Sequence, residues 1–293
     1  MKRILPWLLV LSTCFGYQTE PTGLPLYYWN ESLKQTEPYV NFGDYLSLKL
    51  VERIVNQPVY AFPKNPPRKV KKLLAVGSIL VFAYDNDVIW GSGINGKTLT
   101  KQHYRFNHLD VRAVRGPLTR QFLMENFNIP CPEVYGDPAL LFPYFFPEFQ
   151  RKENPSREYI IIPNCFERSL FPKENPNVVH PTEPWNEVIE KILDSKFVIS
   201  SSLHGIIIAE AYGIPARLLR PPNTPNHLFK YQDYYSGTKR PNFRYAISVE
   251  EALLMGGEPP FECDLQKLYE AFPFDYWEKN SIDNNTSLIV KRD

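Results

Sequence analysis

The chain of 293 residues holds only four cysteines, Cys14, Cys131, Cys165 and Cys263, and no two form a C-x-x-C pair. That excludes the ligand spacing of a zinc site and a dense disulfide framework. No surplus of charge exists either: 33 Lys and Arg stand against 32 Asp and Glu, a net charge of +1. The basic stripe of a nucleic-acid binder and the charge blocks of solvated tails are therefore missing. There is no Walker lysine motif, no G-x-S-x-G elbow, no H-x-x-x-H pair and no internal repeat. What is abundant is proline, with 28 residues, and aromatic side chains, at 14%. That composition implies many loops carrying stacking rings, a feature suited to sugar-like ligands.

One apolar run stands apart. Lys2 and Arg3 precede Ile4-Leu5-Pro6-Trp7-Leu8-Leu9-Val10-Leu11, and small residues follow to Gly16. Residues 1–16 read as a signal peptide or membrane anchor, the alternative being a buried first strand. The run falls short of the ~20 apolar residues that span a bilayer. Membrane association or export is the expected location. Asn30-Glu31-Ser32 and Asn284-Asn285-Thr286 fit the glycosylation sequon.

From residue 24 onward short apolar runs alternate with amphipathic stretches. Strands are expected at 26–29, 73–76, 88–90 and 110–114, with helices at 43–55 and from Pro117. Leu46, Leu50, Val51 and Ile54 share one face of the first helix. A second series starts at 159–162 and continues with a short strand at 178–179 and a helix over 185–193. A strand at 197–199, a helix from Leu203 to Tyr212 and a strand at 216–219 follow. Trp185, Val188, Ile189, Ile192 and Leu193 make a clean helical stripe. Further helices are expected near 249–255 and 264–272. The proline-rich stretch 143–157 is the best linker. This pattern predicts an α/β protein of two Rossmann-like domains facing a cleft, spanning 24–145 and 158–257, with a helical tail over 258–293.

The sharpest motif is Ser200-Ser201-Ser202-Leu203-His204-Gly205, a strand, a polar loop and an apolar helix. Its free N–H groups make an anion site, to which Ser202, Leu203 and Gly205 belong. His204 in the first turn is a titratable group in an apolar helix; it is either functional or a local cap. Val114-Arg115-Gly116-Pro117 has the same architecture, so Arg115 either forks onto a phosphate or carboxylate or pairs with a structural carboxylate. Asp44 in Asn41-Phe42-Gly43-Asp44 is a helix cap or a base. Gly91-Ser92-Gly93 lets backbone approach a ligand, and Asp137 before Pro138 is a cap or a site residue. Phe229 to Tyr235, with Lys239 and Arg240 after it, is a sugar or anion contact or a packed surface helix. No residue cluster points to a metal.

Taken in order, these motifs resemble the polysaccharide pyruvyl transferase family. The matching pieces are Asn41-Phe42-Gly43-Asp44, Trp90-Gly91-Ser92-Gly93, Val114-Arg115-Gly116-Pro117, Tyr135-Gly136-Asp137-Pro138-Ala139, and Ser201-Ser202-Leu203-His204-Gly205 with Gly213-Ile214-Pro215. The resemblance implies a two-domain fold of the GT-B glycosyltransferase kind. It also implies transfer of pyruvyl from phosphoenolpyruvate to a glycan or lipid-linked oligosaccharide, without a cofactor. In that scheme His204 is the acid, Asp44 the base and Arg115 the anion clamp, and phosphoenolpyruvate use implies the cytoplasm as the alternative location. Some members carry Arg-Leu-His where this chain has Ser202-Leu203-His204. Arg115, Arg217, Arg220 or Lys239 would then supply the missing charge, or the donor differs. Two rival readings are a GT-B glycosyltransferase using a nucleotide-sugar and an exported glycan-binding protein.

Overall fold

The computed structural model describes residues 23–30, 40–62, 68–172, 174–224 and 227–277. Residues 1–16, the sequon at 284–286, the last two residues of the sequon at Asn30 and the end of the tail lie outside the described residues. Two parallel sheets form a mixed α/β protein. The first holds β1 (Leu26–Tyr27), β2 (Ala61–Phe62), β3 (Leu73–Leu74), β4 (Val88–Trp90) and β5 (Asp110–Ala113) in the order β2-β1-β3-β4-β5. The second holds β6 (Ile160–Ile162), β7 (Val198–Ser200), β8 (Ala216–Leu219) and β9 (Tyr245–Ala246) in sequence order. Every pairing is parallel. Parallel neighbours need long crossovers and both faces covered, which is why strands such as Ile160-Ile161-Ile162 are apolar without alternation.

The crossovers are mostly helical. α1 (Phe42–Val55) buries Leu46, Leu50, Val51 and Ile54, and α4 (Trp185–Leu193) buries Val188, Ile189, Ile192 and Leu193, as their stripes require. Between them in sequence come α2 (Pro117–Phe127) and α3 (Phe142–Phe145). α5 (Leu203–Ala211) is buried all round, so it has no polar face to show to water. α6 (Phe229–Gly237), α7 (Val249–Met255) and α8 (Leu265–Glu270) complete the set. β2 and β9 were not expected from sequence, and Val178 makes only an isolated bridge to Ile161. The 143–157 stretch is no free tether at its start. Pro143 and Phe146 are buried, Phe142 stacks on Phe146 at 4.0 Å, and both rings meet Trp185 of α4.

One core cluster takes in side chains from both halves, among them Leu46 and Trp90 of the first and Ile162, Ile189 and Ile207 of the second. The segment after residue 258 lies along the first sheet. Trp90 Nε1 donates to the Leu268 carbonyl at 2.8 Å, and Arg112 binds Asp275.

The most heavily bonded bridge is α6. The Asp233 carboxylate accepts from Arg115 Nε at 3.1 Å, from the Thr119 N–H at 2.9 Å and from the Thr119 hydroxyl at 2.7 Å. On its other side Tyr231 donates to the Ser201 carbonyl at 2.7 Å, and Tyr234 donates to Glu210, itself forked by Arg240. Contact with α2 is backbone to backbone. A Cβ on Gly116 would collide with the Asp233 carbonyl, and one on Gly237 with the Arg115 carbonyl.

Arg115 and Asp233 are both fully buried, so removing one leaves a buried charge unpaired. Asp233→Ala is expected to cost about 3–5 kcal/mol of stability in urea unfolding. A loss below about 1 kcal/mol, the range of surface pairs, would show that the pair is dispensable.

Candidate active site

A pocket of about 280 Å³ opens where the loops after β1, β3, β4, β6 and β7 converge. All leave the carboxyl ends of parallel strands, the usual ligand edge of such sheets. Its wall includes Asp44, Ser78, Asn164, Ser202, His204 and Lys230.

Each polar side chain is delivered by a local device. Asn41 caps α1, its side chain accepting from the Gly43 N–H at 3.0 Å, which sets Asp44 in the first turn. Ser200 shapes the turn into α5: its hydroxyl donates to the Ile162 and Ser202 carbonyls, both at 2.8 Å, and accepts from the Ser202 N–H. The Ser202 side chain makes no cap bond, so the first N–H groups of α5 lack that partner. His204 follows in the first turn and presses against α1. A Cβ on Gly43 would collide with the His204 side chain at Nδ1 and Cγ. Behind the ring stands Asp137, whose Oδ1 accepts from the Ala139 N–H at 3.0 Å. Its Oδ2 lies 3.8 Å from His204 Nε2, and among the described residues neither of these two buried atoms has a hydrogen-bond partner.

Enclosure dominates the electrostatics. Burial pushes the Asp44 carboxyl up to about 7, with Lys230 opposing and Asp137 adding to the rise. Burial likewise lifts Asp137 to about 6 against the Ala139 N–H and Arg115. It depresses His204 to about 3, helped by Lys230 and Arg115. Lys230 falls to about 8, first by burial and then by Arg115. At neutral pH the pocket thus holds a neutral imidazole, a carboxyl near its midpoint and a lysine that is mostly charged.

Of the residues singled out from sequence, Asp44, Ser202, Leu203 and His204 line the pocket, and Asp137 backs it. The others stand elsewhere. Arg115 does not reach the pocket wall; besides Asp233 it donates to Ser78 and to the Ile94 carbonyl. The Gly91-Ser92-Gly93 turn serves packing. Gly91 has φ +79° and a Cβ there would strike Pro138, Ser92 donates to the Gly77 carbonyl, and Gly93 gives room to the Arg115 guanidinium. Gly205 lets α5 sit on the Ser200 side chain. Lys239 is exposed, pairs with Glu262 at 2.9 Å and borders a separate hollow beside Cys263. Arg217 is bound to Glu258 and to the carbonyls of Arg244, Gly256 and Gly257. Arg220 stacks on the Tyr245 ring at 5.6 Å.

Sequence reasoning missed Lys97, and it left Lys230 inside a segment that read equally as a ligand contact or a packed surface helix; both line the pocket. For Lys230 a signal existed: Tyr231, Tyr234 and Tyr235 form the buried stripe of α6 and carry the lysine inward with them. Among the described residues no group of three or more His, Cys, Asp or Glu could hold a metal ion. None of the helices there is long and apolar enough to cross a membrane.

The model of the polysaccharide pyruvyl transferase family matches residues 37–222. The succinoglycan biosynthesis protein ExoV of Rhizobium meliloti is 28% identical over 253 residues, covering 82% of this chain and 73% of that protein. The uncharacterised protein L143 of Acanthamoeba polyphaga mimivirus is 29% identical over 218 residues, covering 70% and 74%. A crystal structure of an uncharacterised Klebsiella pneumoniae protein aligns with a TM-score of 0.41 and 13% identity, covering 78% of this chain and 94% of that one.

Gly43 has no positive φ, so alanine suits its helix and even raises its propensity. Only the His204 ring stands in the way. Gly43→Ala is therefore expected to keep its circular dichroism while losing the His204 imidazole resonances from their wild-type positions in NMR. Unshifted resonances would mean that the ring does not rest on α1.

Proposed function

This chain belongs to the polysaccharide pyruvyl transferase family and is a transferase, and on that premise we propose that it moves the pyruvyl group of phosphoenolpyruvate onto glycan hydroxyls as a ketal. The single observation that carries this reading is the meeting of Lys230, His204 and Asp44 in one small pocket at the start of α5. That set offers a buried cation for a compact, multiply charged donor and two proton-handling groups beside it. We read Lys230 as the counterpart of the arginine that other members carry at position 202.

In this reading the donor's phosphate and carboxylate lie against Lys230 and the first N–H groups of α5. Their negative charge offsets Lys230 and raises the His204 pKa from its depressed value, so the imidazole becomes protonated when the donor is seated. His204 gives that proton to the methylene carbon of the enol, and the neighbouring carbon develops oxocarbenium character. A sugar hydroxyl attacks it and yields its proton to the Asp44 carboxylate. The carbon–oxygen bond to phosphate then breaks, and a second hydroxyl of the same sugar closes the ketal while its proton leaves with the phosphate. Asp137 positions the imidazole from behind. The role of ExoV in succinoglycan biosynthesis supports a surface polysaccharide repeat, lipid-linked during assembly, as acceptor. The two sheets on either side of the pocket support a GT-B type arrangement of two Rossmann-like units. Residues 1–16 would hold the enzyme at the membrane, on the side where phosphoenolpyruvate is made.

Purified protein is expected to release phosphate from phosphoenolpyruvate when lipid-linked oligosaccharides are supplied, and to leave nucleotide-sugars intact. Consumption of a nucleotide-sugar instead would sink the reading. His204→Asn should slow turnover ~10²–10⁴-fold, the usual worth of a positioned acid, while the fold persists. Wild-type turnover in that variant would remove His204 from the chemistry.

A pH profile follows from the two pocket groups. Asp44 must be ionised to act as base, so kcat/KM falls as pH drops below about 7. Lys230 must be charged to bind donor, so kcat/KM falls again as pH rises through about 8. Asp44→Asn should flatten the acid limb and Lys230→Arg should push the alkaline limb upward. Limbs that stay put in both variants would contradict these assignments.

A further inference from the structure

We propose that the mouth of this pocket is a platform for one pyranose ring of the acceptor, with Phe166 as its floor and Trp29 as its side wall. The proposal rests on the transferase reading above and names where its second substrate sits. Phe166 is 54% exposed although it borders the pocket that holds His204 and Lys230. Its ring lies 6.0 Å from that of Trp29, tilted by 59°, and the Lys97 ammonium stands over it at 4.9 Å. Ring and cation together hold Phe166 upright without burying it.

The ring is also held in register with the chemistry. Asn164 accepts from the Phe166 N–H at 3.1 Å, while the Asn164 N–H donates to the Ser201 hydroxyl at 2.9 Å. Ser201 sits three residues before His204, so the loop that carries the ring is bonded to the loop that carries the imidazole. A ligand resting on Phe166 is thereby placed beside the reacting group.

The chemistry of the wall selects the ligand. An exposed aromatic face gains by being covered with apolar surface. A pyranose presents a face of C–H groups and keeps its hydroxyls at the rim. Stacked on Phe166 it covers carbon with carbon and leaves the rim to polar groups such as Asn95 and Thr98, which border the same pocket. A nucleobase stacks on rings as well. It is planar, however, and the 59° tilt between the two rings leaves no parallel slot to hold it. A puckered ring with C–H groups facing two directions fits tilted walls.

Saturation-transfer NMR on the full chain, with methyl β-D-glucopyranoside and methyl β-D-galactopyranoside as probes, tests this directly. Transfer to the C–H protons of one pyranose face is expected with at least one of them. It should be lost in Phe166→Ala and retained in Phe166→Tyr. Calorimetry with phosphoenolpyruvate should give the same Kd in wild type and Phe166→Ala, because Phe166 is not part of the donor's charge clamp. Transfer that is absent with both sugars, unchanged in Phe166→Ala, or displaced by uridine would overturn the platform. If phosphoenolpyruvate fails to bind wild type while sugar transfer still depends on Phe166, the donor reading fails and the platform stands.

Discussion

The buried pair between Arg115 and Asp233 is the constraint on which the site depends. Asp233 ties α6 to the Arg115 loop and to the first turn of α2, and α6 in turn brings Lys230 to the pocket. A buried ion pair stabilises little on balance, since desolvation consumes most of the Coulombic gain. What it supplies is position. Two glycines, Gly116 and Gly237, let the backbones touch at this crossing. The arginine of the family-like Val114-Arg115-Gly116-Pro117 segment thus stands one layer behind the pocket, fixing the helix that lines it.

The site itself is built by enclosure more than by charge pairing. Burial is the first cause of the shift at Asp44, Asp137, His204 and Lys230 alike. Two polar atoms, Asp137 Oδ2 and His204 Nε2, face each other at 3.8 Å and have no hydrogen-bond partner among the described residues, a cost of ~1–3 kcal/mol each in an ordinary core. The fold keeps these groups in place through α5, which is buried along its length and pinned at Glu210 by Arg240 and Tyr234.

Much of this was legible from the residues. The stripes of α1 and α4 and the serine-rich entry to α5 act over a few neighbouring positions, and local spacing reports local structure. The positions of Asp44, Ser202 and His204 were readable for the same reason: each lies at the start of a helix whose apolar residues mark it. Arg115 was not, because its carboxylate lies 118 residues further along the chain. Nothing near Arg115 says whether its charge faces a ligand or Asp233. Lys230 lay in a segment that read as a ligand contact or a packed surface helix, and only its burial with the tyrosines of α6 decides that it turns inward. β2 and β9 have two residues each, too few for any period. The Gly91-Ser92-Gly93 turn reads from sequence as a close approach to a ligand; in the structure the groups it approaches are Pro138 and Arg115.

The shared core carries a thermodynamic consequence. Leu46 and Trp90 belong to the same cluster as Ile162, Ile189 and Ile207, and Phe142, Phe146 and Trp185 join the connecting segment to it. Separating the halves would expose apolar surface on both sides of that cluster at once, with α6 stripped of its bonds to each. Each sheet keeps a smaller cluster of its own on its other face, but the shared cluster couples the two, so the described chain is expected to melt in one cooperative transition.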